Sequence, residues 1–382
     1  MFQENAVFSY SFPTNIRFGA GVSKEIGSHL NEMKLSKPLV VSDPVVSKLP
    51  FFEQLVDEIK KAGITVAVFT DVQKNPVKSD VEKGGTFFHD NNCDSIVGLG
   101  GGVALDVARA IALRVYHKGD LFDYDDLLDG WKLVTEKIPY FITVPTTAGT
   151  GSEVGRSTVI SEDDTHKKRV LFSARLIANQ VFADPELTLD LPPLVTAATG
   201  MDALAHNIEA LLAKGFHPMA DGIALEAIRI IGHNLEKAVF EPDITARANM
   251  LIASLMGAVA FQKGLGLVHS LAHPLSTLVD AHHGTAIALM FPHGLAFNAV
   301  GAEASYVKMA NVLGLEHSAN AVIEQITTWN KKFGLPLTLS EIGVKREDIP
   351  KLVKLSASDF CLPCNQRPVT ETDLEKIYTA AY

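Results

Sequence analysis

Along the first half of the chain, short apolar runs rich in Val, Ile and Phe alternate with longer stretches in which apolar residues recur at helical spacing. Ala6 to Phe18 alternates loosely and stops at Gly19, which predicts a strand or the opening of a hairpin. KPLVVSDP gives a strand over Leu39 to Val41 that runs out at Ser42 and Asp43. Phe51 to Ala62 predicts an amphipathic helix closed by Gly63, and Ile64 to Phe69 a β-branched strand. Residues 94–113, DSIVGLGGGVALDVARAIAL, read as strand, three consecutive glycines and helix, and Pro139 to Val144 is a further buried strand. Such a βαβ rhythm marks a parallel sheet covered by helices. ADPELTLDLPP, from Ala183 to Pro193, concentrates prolines and ends the pattern. Beyond it, Ala, Leu and Ile recur with helical period over Val195 to Ala213, Met219 to Val239, Ile244 to Phe261 and Ala304 to Gly314. The expectation is an α/β domain over residues 1–187 and an all-α domain over residues 188–382, with no internal repeat.

A chain of 382 residues is long enough for two such domains, each with its own core. No uninterrupted run of about twenty apolar residues appears, so the apolar content requires no membrane span. MFQENAVFSYSFP has neither the basic flank nor the small-residue cleavage site of a signal peptide, and the expected location is the cytoplasm. With 34 basic against 44 acidic side chains the net charge is −10, and no Lys/Arg cluster offers a footprint for a phosphate backbone. That argues against a nucleic-acid partner. Three cysteines are an odd count for a disulfide framework and read as thiols. Cys361 and Cys364 form CLPC, but a redox CxxC opens a helix after a strand in a thioredoxin-like unit, and no such unit is visible there.

Candidate metal chemistry concentrates in the helical half. Five of the thirteen histidines (His269, His273, His282, His283 and His293) fall in or just after GLGLVHSLAHPLSTLVDAHHG, Gly264 to Gly284. His269 and His273 are four apart in an apolar, helix-compatible run and point from one face toward a common centre. His283 follows after a small-residue break. Upstream, in GMDALAHNIEA, Asp202 and His206 are again four apart among Ala and Leu. One carboxylate and one imidazole from one helix, with two imidazoles from the later segment, make an N3O site for a divalent transition metal. Either pair alone reads more simply as surface or satisfied core residues. Together they point to an ion.

The α/β half carries three further signals. Glycines after a strand let a backbone approach a pyrophosphate at the start of the following helix, whose unpaired N–H groups and dipole favour an anion. The spacing is not GxGxxG, and tight strand–helix packing uses the same glycines. PTTAGTGSEVG, after the strand ending at Val144, supplies hydroxyls and glycines for phosphate and ribose contacts, or is a flexible surface loop. Asp43, at a strand end, can accept hydrogen bonds from ribose hydroxyls and repel a 2′-phosphate, or it can open an Asx turn before Pro44.

These segments (GGG followed by Asp106, TTAGTGSEV, GMDALAHNIEA, and GLGLVHSLAHPLS with HHG) resemble the iron-dependent (group III) alcohol dehydrogenase family along nearly the whole chain. The resemblance implies a Rossmann-like, dinucleotide-binding α/β domain and an all-α C-terminal domain, the architecture shared with dehydroquinate synthase. It implies a metal-dependent alcohol dehydrogenase or aldehyde reductase that moves hydride between NAD and a small primary alcohol, diol or ω-hydroxy acid. Glycerol dehydrogenase-like and dehydroquinate synthase-like (lyase) chemistries are the alternatives on this fold. The implied metal ligands are Asp202, His206, His269 and His283, for Fe2+ with Zn2+ as the alternative, which leaves His273 as a candidate proton-relay group. The implied cofactor contacts are Asp43, Asn75, Gly101, Gly102, Thr147, Thr150, Gly151, Lys168 and Leu187, and an acid at position 43 favours NAD over NADP. The implied partners are a small alcohol or aldehyde and further copies of the chain, as a homodimer or higher homo-oligomer, without membrane or nucleic acid.

The sequence departs from the family at a few points. Val103 and Arg109 stand where Ser and Lys are usual, with one hydroxyl contact near the pyrophosphate expected to be lost, and Ile287 replaces an Asn. Lys263, six residues before His269, reads either as a solvated helix end or as the partner of an anionic tail on an ω-hydroxy acid. Cys361 is expected at the mouth of the substrate site.

Overall fold

The computed structural model describes residue 12 and residues 14–382, so the part of the expected N-terminal strand at residues 6–11 and 13 lies outside the described residues. The chain forms two compact units, one of residues 14–147 with 151–190, the other of residues 191–382 with the short piece 148–150.

The first unit is built from β1 (Asn15–Phe18), α1 (Ile26–Glu32), β2 (Pro38–Val41), α2 (Pro50–Lys61), β3 (Ala67–Phe69), α3 (Lys78–Asp90), β4 (Ser95–Gly100), α4 (Gly102–Arg114), β5 (Tyr140–Pro145), β6 (Ser157–Ser161), β7 (Lys168–Phe172) and β8 (Gln180–Ala183). Six strands form one parallel sheet in the order β1-β8-β5-β4-β2-β3, and β6 and β7 pair antiparallel apart from it. The middle strands β2 and β4 are buried along their whole length, as expected of a parallel sheet covered on both faces. On one face, α2 lays Phe52, Leu55, Val56 and Ile59 against Val40, Val97 and Ile142. At Gly98 a Cβ would come within 2.8 Å of the Ala108 Cβ, so the missing side chain is what lets α4 sit close on the sheet.

The strand expected over Ile64 to Phe69 is only three residues long. β3 pairs with β2 alone, over Leu39 to Val41, and as an edge strand has no second neighbour to extend it. The connections also place a reversal of strand order between β2 and β4. In open α/β sheets, ligands bind outside the carboxyl ends of the strands at such a reversal. Ser42 and Asp43 follow β2 there, and Gly100 to Gly102 follow β4.

The second unit comprises α5 (Pro193–Leu212), α6 (Pro218–Phe240), α7 (Ile244–Ala260), α8 (Leu267–Val279), α9 (His283–Asn298), α10 (Glu303–Leu313), α11 (Ala319–Phe333), α12 (Ile349–Ala357) and α13 (Glu371–Ala380). α5 is its axis, with every residue from Thr196 to Leu212 buried. Only a helix apolar nearly all round can be enclosed in this way. Its polar members Asp202, His206, Asn207 and Glu209 must therefore find partners inside. α7 with the turn after it, Ile244–Lys263, has the length and mean hydropathy (1.5) to cross a membrane, the only such helix among the described residues. It packs against α5 and α6 and buries Arg247, whose guanidinium donates to Thr196 Oγ1 and the Leu191 carbonyl.

Candidate active site

Three helices of the second unit bring four side chains to one point. α5 carries Asp202 and His206 on one face, α8 contributes His269 from its third residue, and α9 opens on His283. Asp202 Oδ1 faces Nε2 of His206 at 3.8 Å, of His269 at 3.6 Å and of His283 at 3.5 Å. Asp202, His206 and His269 are enclosed, and neither Asp202 Oδ1 nor His269 Nε2 has a hydrogen-bond partner. A buried carboxylate oxygen left unpaired is costly. Two ligand atoms each about 2.1 Å from one ion at a tetrahedral angle lie roughly 3.4 Å apart. The spacing is thus that of atoms gathered round a divalent ion rather than bonded to one another, and the donor set fits such an ion.

The outer nitrogens support this orientation. The His206 Nδ1 lies 3.3 Å from the Gly149 carbonyl, and His269 Nδ1 is held by the carboxylate of Glu209. Burial depresses His206 to about 4 and His283 to about 3, which keeps both imidazoles neutral. Burial alone would raise Asp202, but its attraction to His206 and His283, together with the polar contacts of His269 and His283, outweighs it and holds the carboxylate well below its usual range. Burial likewise opposes charge on His269, and the carboxylates of Asp202 and Glu209 outweigh it and lift that imidazole to about 9.

In the first unit, Asp43, the glycine turn and Thr147 meet at the carboxyl ends of β2, β4 and β5. Asp43 Oδ1 accepts from the amides of Val45 and Val46, both at 2.9 Å, so the Asx turn is formed. Its other oxygen, Oδ2, lies 3.4 Å from where a Cβ on Gly100 would stand, and so the turn aims a carboxylate oxygen at the glycines. Gly100 has φ 150°, and a Cβ there would meet the Ala104 Cβ at 2.7 Å. Only glycine suits that position. Gly101 precedes the first turn of α4 without a capping side chain, 3.3 Å from the Thr147 hydroxyl if it had a Cβ. Gly151 has φ 61°, Thr150 groups with the helical unit, Lys168 opens β7, Asn75 lies in the loop before α3, and Leu187 packs against the sheet core.

The comparisons with known proteins agree along nearly the whole chain. Residues 13–185 match iron-containing alcohol dehydrogenase, and residues 196–382 match the Fe-containing alcohol dehydrogenase family, C-terminal. The chain belongs to the iron-containing alcohol dehydrogenase family. It is 36% identical to a 4-hydroxybutyrate dehydrogenase of Cupriavidus necator over 95% of this chain and 97% of that protein. It is 35% identical to an NAD-dependent methanol dehydrogenase of Bacillus methanolicus over 97% and 98%. A crystal structure of a 1,3-propanediol oxidoreductase superposes with a TM-score of 0.94 at 33% identity, covering 99% of this chain and 100% of that one.

Within this iron-containing alcohol dehydrogenase, several expected residues take other places. Lys263 is neither solvated nor free: its side chain is 5% exposed, and Nζ donates to Asp221 Oδ1 at 2.5 Å and to the Leu211 carbonyl at 3.1 Å. Burial of the helix end against α5 and α6 forces that pairing. Cys361 is enclosed, 3% exposed, rather than at an opening, and burial pushes its thiol well up. Arg109 is fully buried and donates to Asp106, to Ser152 and to the carbonyls of Ser157 and Leu176. A lysine could not reach this many acceptors, so the departure from the family pattern adds bonds to the loop after β5.

His273 stays outside the ligand group. Its Nδ1 is 2.8 Å from Asp359 Oδ2, and its ring stacks between His283 (centroids 5.4 Å apart) and Phe360 (5.1 Å). His293, farther along α9, lies among Leu289, Pro292, Thr327 and Asn330. Sequence reasoning missed Glu209, Asp359, Gly149 and Gly284. For Glu209 a signal was present, since an acid in the middle of an all-apolar helix face must be partnered if the helix is buried.

Proposed function

We propose that the protein is an NAD-dependent alcohol dehydrogenase whose Asp202, His206, His269 and His283 hold one divalent ion, iron in preference to zinc. The observation that carries this reading is the unpartnered Asp202 oxygen facing three imidazole nitrogens at 3.5–3.8 Å inside the helical unit. The names of the relatives, alcohol, diol and hydroxy-acid dehydrogenases, support the reaction class. When bound, the ion supplies a Lewis acid for the substrate oxygen and NAD supplies the hydride acceptor.

The remaining work falls to the chain's own side chains. The glycine turn and the uncapped start of α4 take the pyrophosphate, and the outward oxygen of Asp43 takes the ribose hydroxyls. Burial opposes charge on Asp359, but its bond with His273 outweighs this and depresses the carboxyl to about 2, so it is an ionised acceptor. It therefore fixes the proton of His273 on Nδ1 and leaves Nε2 as the atom that can take a proton from the alcohol. The engagement of Lys263 by Asp221 removes Lys263 as the partner of an anionic tail, and the proposed substrate is a small primary alcohol, diol or ω-hydroxy acid bound without it. A cytoplasmic homodimer or higher homo-oligomer completes the proposal.

Protein purified without air and loaded with Fe2+ or Zn2+ tests it. The expected result is one ion per chain and steady NADH release from short alcohols or diols, lost together with the ion in His283→Ala. Absence of a bound ion, or of NADH from every alcohol offered, overturns the reading.

A further inference from the structure

Glu209 stands three residues beyond His206 on α5 and is 2% exposed. A carboxylate so enclosed has to be met by donors, and all of its donors come from the start of α8. Oε1 accepts from the Val268 amide at 2.7 Å, and Oε2 accepts from the His269 amide at 3.2 Å and from His269 Nδ1. Val268 and His269 lie in the first turn of α8, where amides have no acceptor within the helix. The residue ahead of that turn, Gly266, has no side chain to offer, and the Leu267 amide is taken by Asn365 Oδ1 at 3.1 Å. A Cβ on Gly266 would stand 3.0 Å from Glu209 Oε1 and 2.7 Å from Asn365 Oδ1, so the glycine leaves room for both acceptors.

One carboxylate thus meets the Val268 and His269 amides at the buried start of α8 and fixes the tautomer of one of its histidines. With Nδ1 donating to Glu209, the neutral form of His269 carries its lone pair on Nε2, the nitrogen that faces Asp202 Oδ1 3.6 Å away. Only that tautomer can be a ligand through Nε2. A carboxylate behind a ligating imidazole also raises its basicity. We propose that Glu209 is a positioning residue that sets the tautomer and ring orientation of His269 for the divalent ion. The proposal rests on the reading that Asp202, His206, His269 and His283 hold an ion.

Glutamine cannot replace it fully, because three N–H donors converge on its two oxygens and an amide offers only one acceptor atom. In Glu209→Gln, an amide with its oxygen toward His269 would face the Val268 N–H donor to donor. Turned round, the same amide would drive the His269 proton onto Nε2 and block the ligand atom.

The test is the affinity of the ion-free protein for Zn2+, read by competition with a chromophoric chelator. It compares the wild type, Glu209→Gln, Glu209→Ala, His269→Ala and the double variant Glu209→Ala/His269→Ala. Circular dichroism and the melting temperature of each ion-free protein are recorded alongside. The expected result is one Zn2+ in the wild type, a loss of affinity of about 10-fold in Glu209→Gln and toward 100-fold in Glu209→Ala, and no further loss when Glu209→Ala is added to His269→Ala. A purely structural cap would lower the melting temperature and leave affinity at low temperature unchanged, which overturns the proposal. Wild-type affinity in folded Glu209→Gln overturns it as well, and this variant decides the matter if the alanine variant does not fold. If the wild type itself binds no Zn2+ or Fe2+, the four-ligand reading fails and takes this inference with it.

Discussion

Replacing Gly284 by alanine tests whether the position of His283 is set by the packing of two helices. Gly284 is the second residue of α9, directly after His283, and it faces Ala198 and Thr199 in the second turn of α5. An added Cβ would stand 2.4 Å from the Ala198 carbonyl oxygen and 2.7 Å from its carbon, about 1 Å short of ordinary van der Waals contact. Both neighbours are backbone, and α5 is enclosed on every side, so the start of α9 has to move. Metal–ligand distances tolerate only about 0.2 Å. A displacement of about 1 Å at the adjacent residue therefore takes His283 out of reach, with turnover expected to fall about 100-fold and overpacking to cost about 1–3 kcal/mol of stability. Ion affinity of the chelator-treated protein, turnover with saturating Zn2+ or Fe2+, and chemical denaturation read the three effects separately. Gly222→Ala is the control: it lies within α6 with nothing inside 4 Å of an added Cβ, and is expected to be neutral or stabilising by about 0.5–1 kcal/mol. Gly284→Ala protein that binds the ion and turns over like wild type would show that the start of α9 yields without consequence and that the argument is wrong.

Three further outcomes follow from single residues. Lys263→Ala is expected to leave the ratio of activity on a hydroxy acid and on a neutral alcohol unchanged while lowering stability by about 1–3 kcal/mol, since it removes buried bonds to Asp221 and Leu211; a collapse of hydroxy-acid activity alone would restore the substrate role. Burial pushes the Glu153 carboxyl up to about 7, and its Oε1 has no partner. The folded chain therefore holds a proton that the unfolded chain has released between about pH 4.3 and 7, so the contribution of this group is lost as pH rises through 7. Glu153→Gln should remove a penalty of roughly 3 kcal/mol at pH 8 and change little at pH 4, and equal melting shifts at both pH values would contradict this. Wild-type enzyme should use NAD more efficiently than NADP, and Asp43→Asn, which keeps the turn acceptor and removes the charge, should narrow that preference. An NADP efficiency equal to or above that for NAD in the wild type would remove Asp43 from the ribose site.

What could be read from the sequence is what a short stretch decides for itself. The helix expected over Met219 to Val239 runs from Pro218 to Phe240, and the strand, glycine turn and helix expected over residues 94–113 appear as β4 and α4. α3 was not visible, because Gly84 and Gly85 sit in its middle, where they weaken helix propensity. Their reason is tertiary: a Cβ on Gly84 would lie 2.2 Å from Ile111 of α4. α9 is apolar nearly all round and contains Pro292, so it has no periodic face to announce it, and His283, placed by the sequence only after a small-residue break, is the first residue of a helix.

The metal cluster shows the same limit at the level of single atoms. Helical spacing puts His269 and His273 on one face and gives no means of choosing between them. The choice is made by two carboxylates distant in sequence, Glu209 holding the outer nitrogen of His269 and Asp359, 86 residues on, holding that of His273. Both histidines thus present Nε2, but only His269 presents it to Asp202. Lys263 illustrates the converse, since a lysine at a helix end reads as solvated until Asp221 on another helix is known to meet it. Residue type and period fix which groups are available for chemistry, whereas the buried partner of each group fixes which atom it offers, and in this protein those partners arrive from other helices.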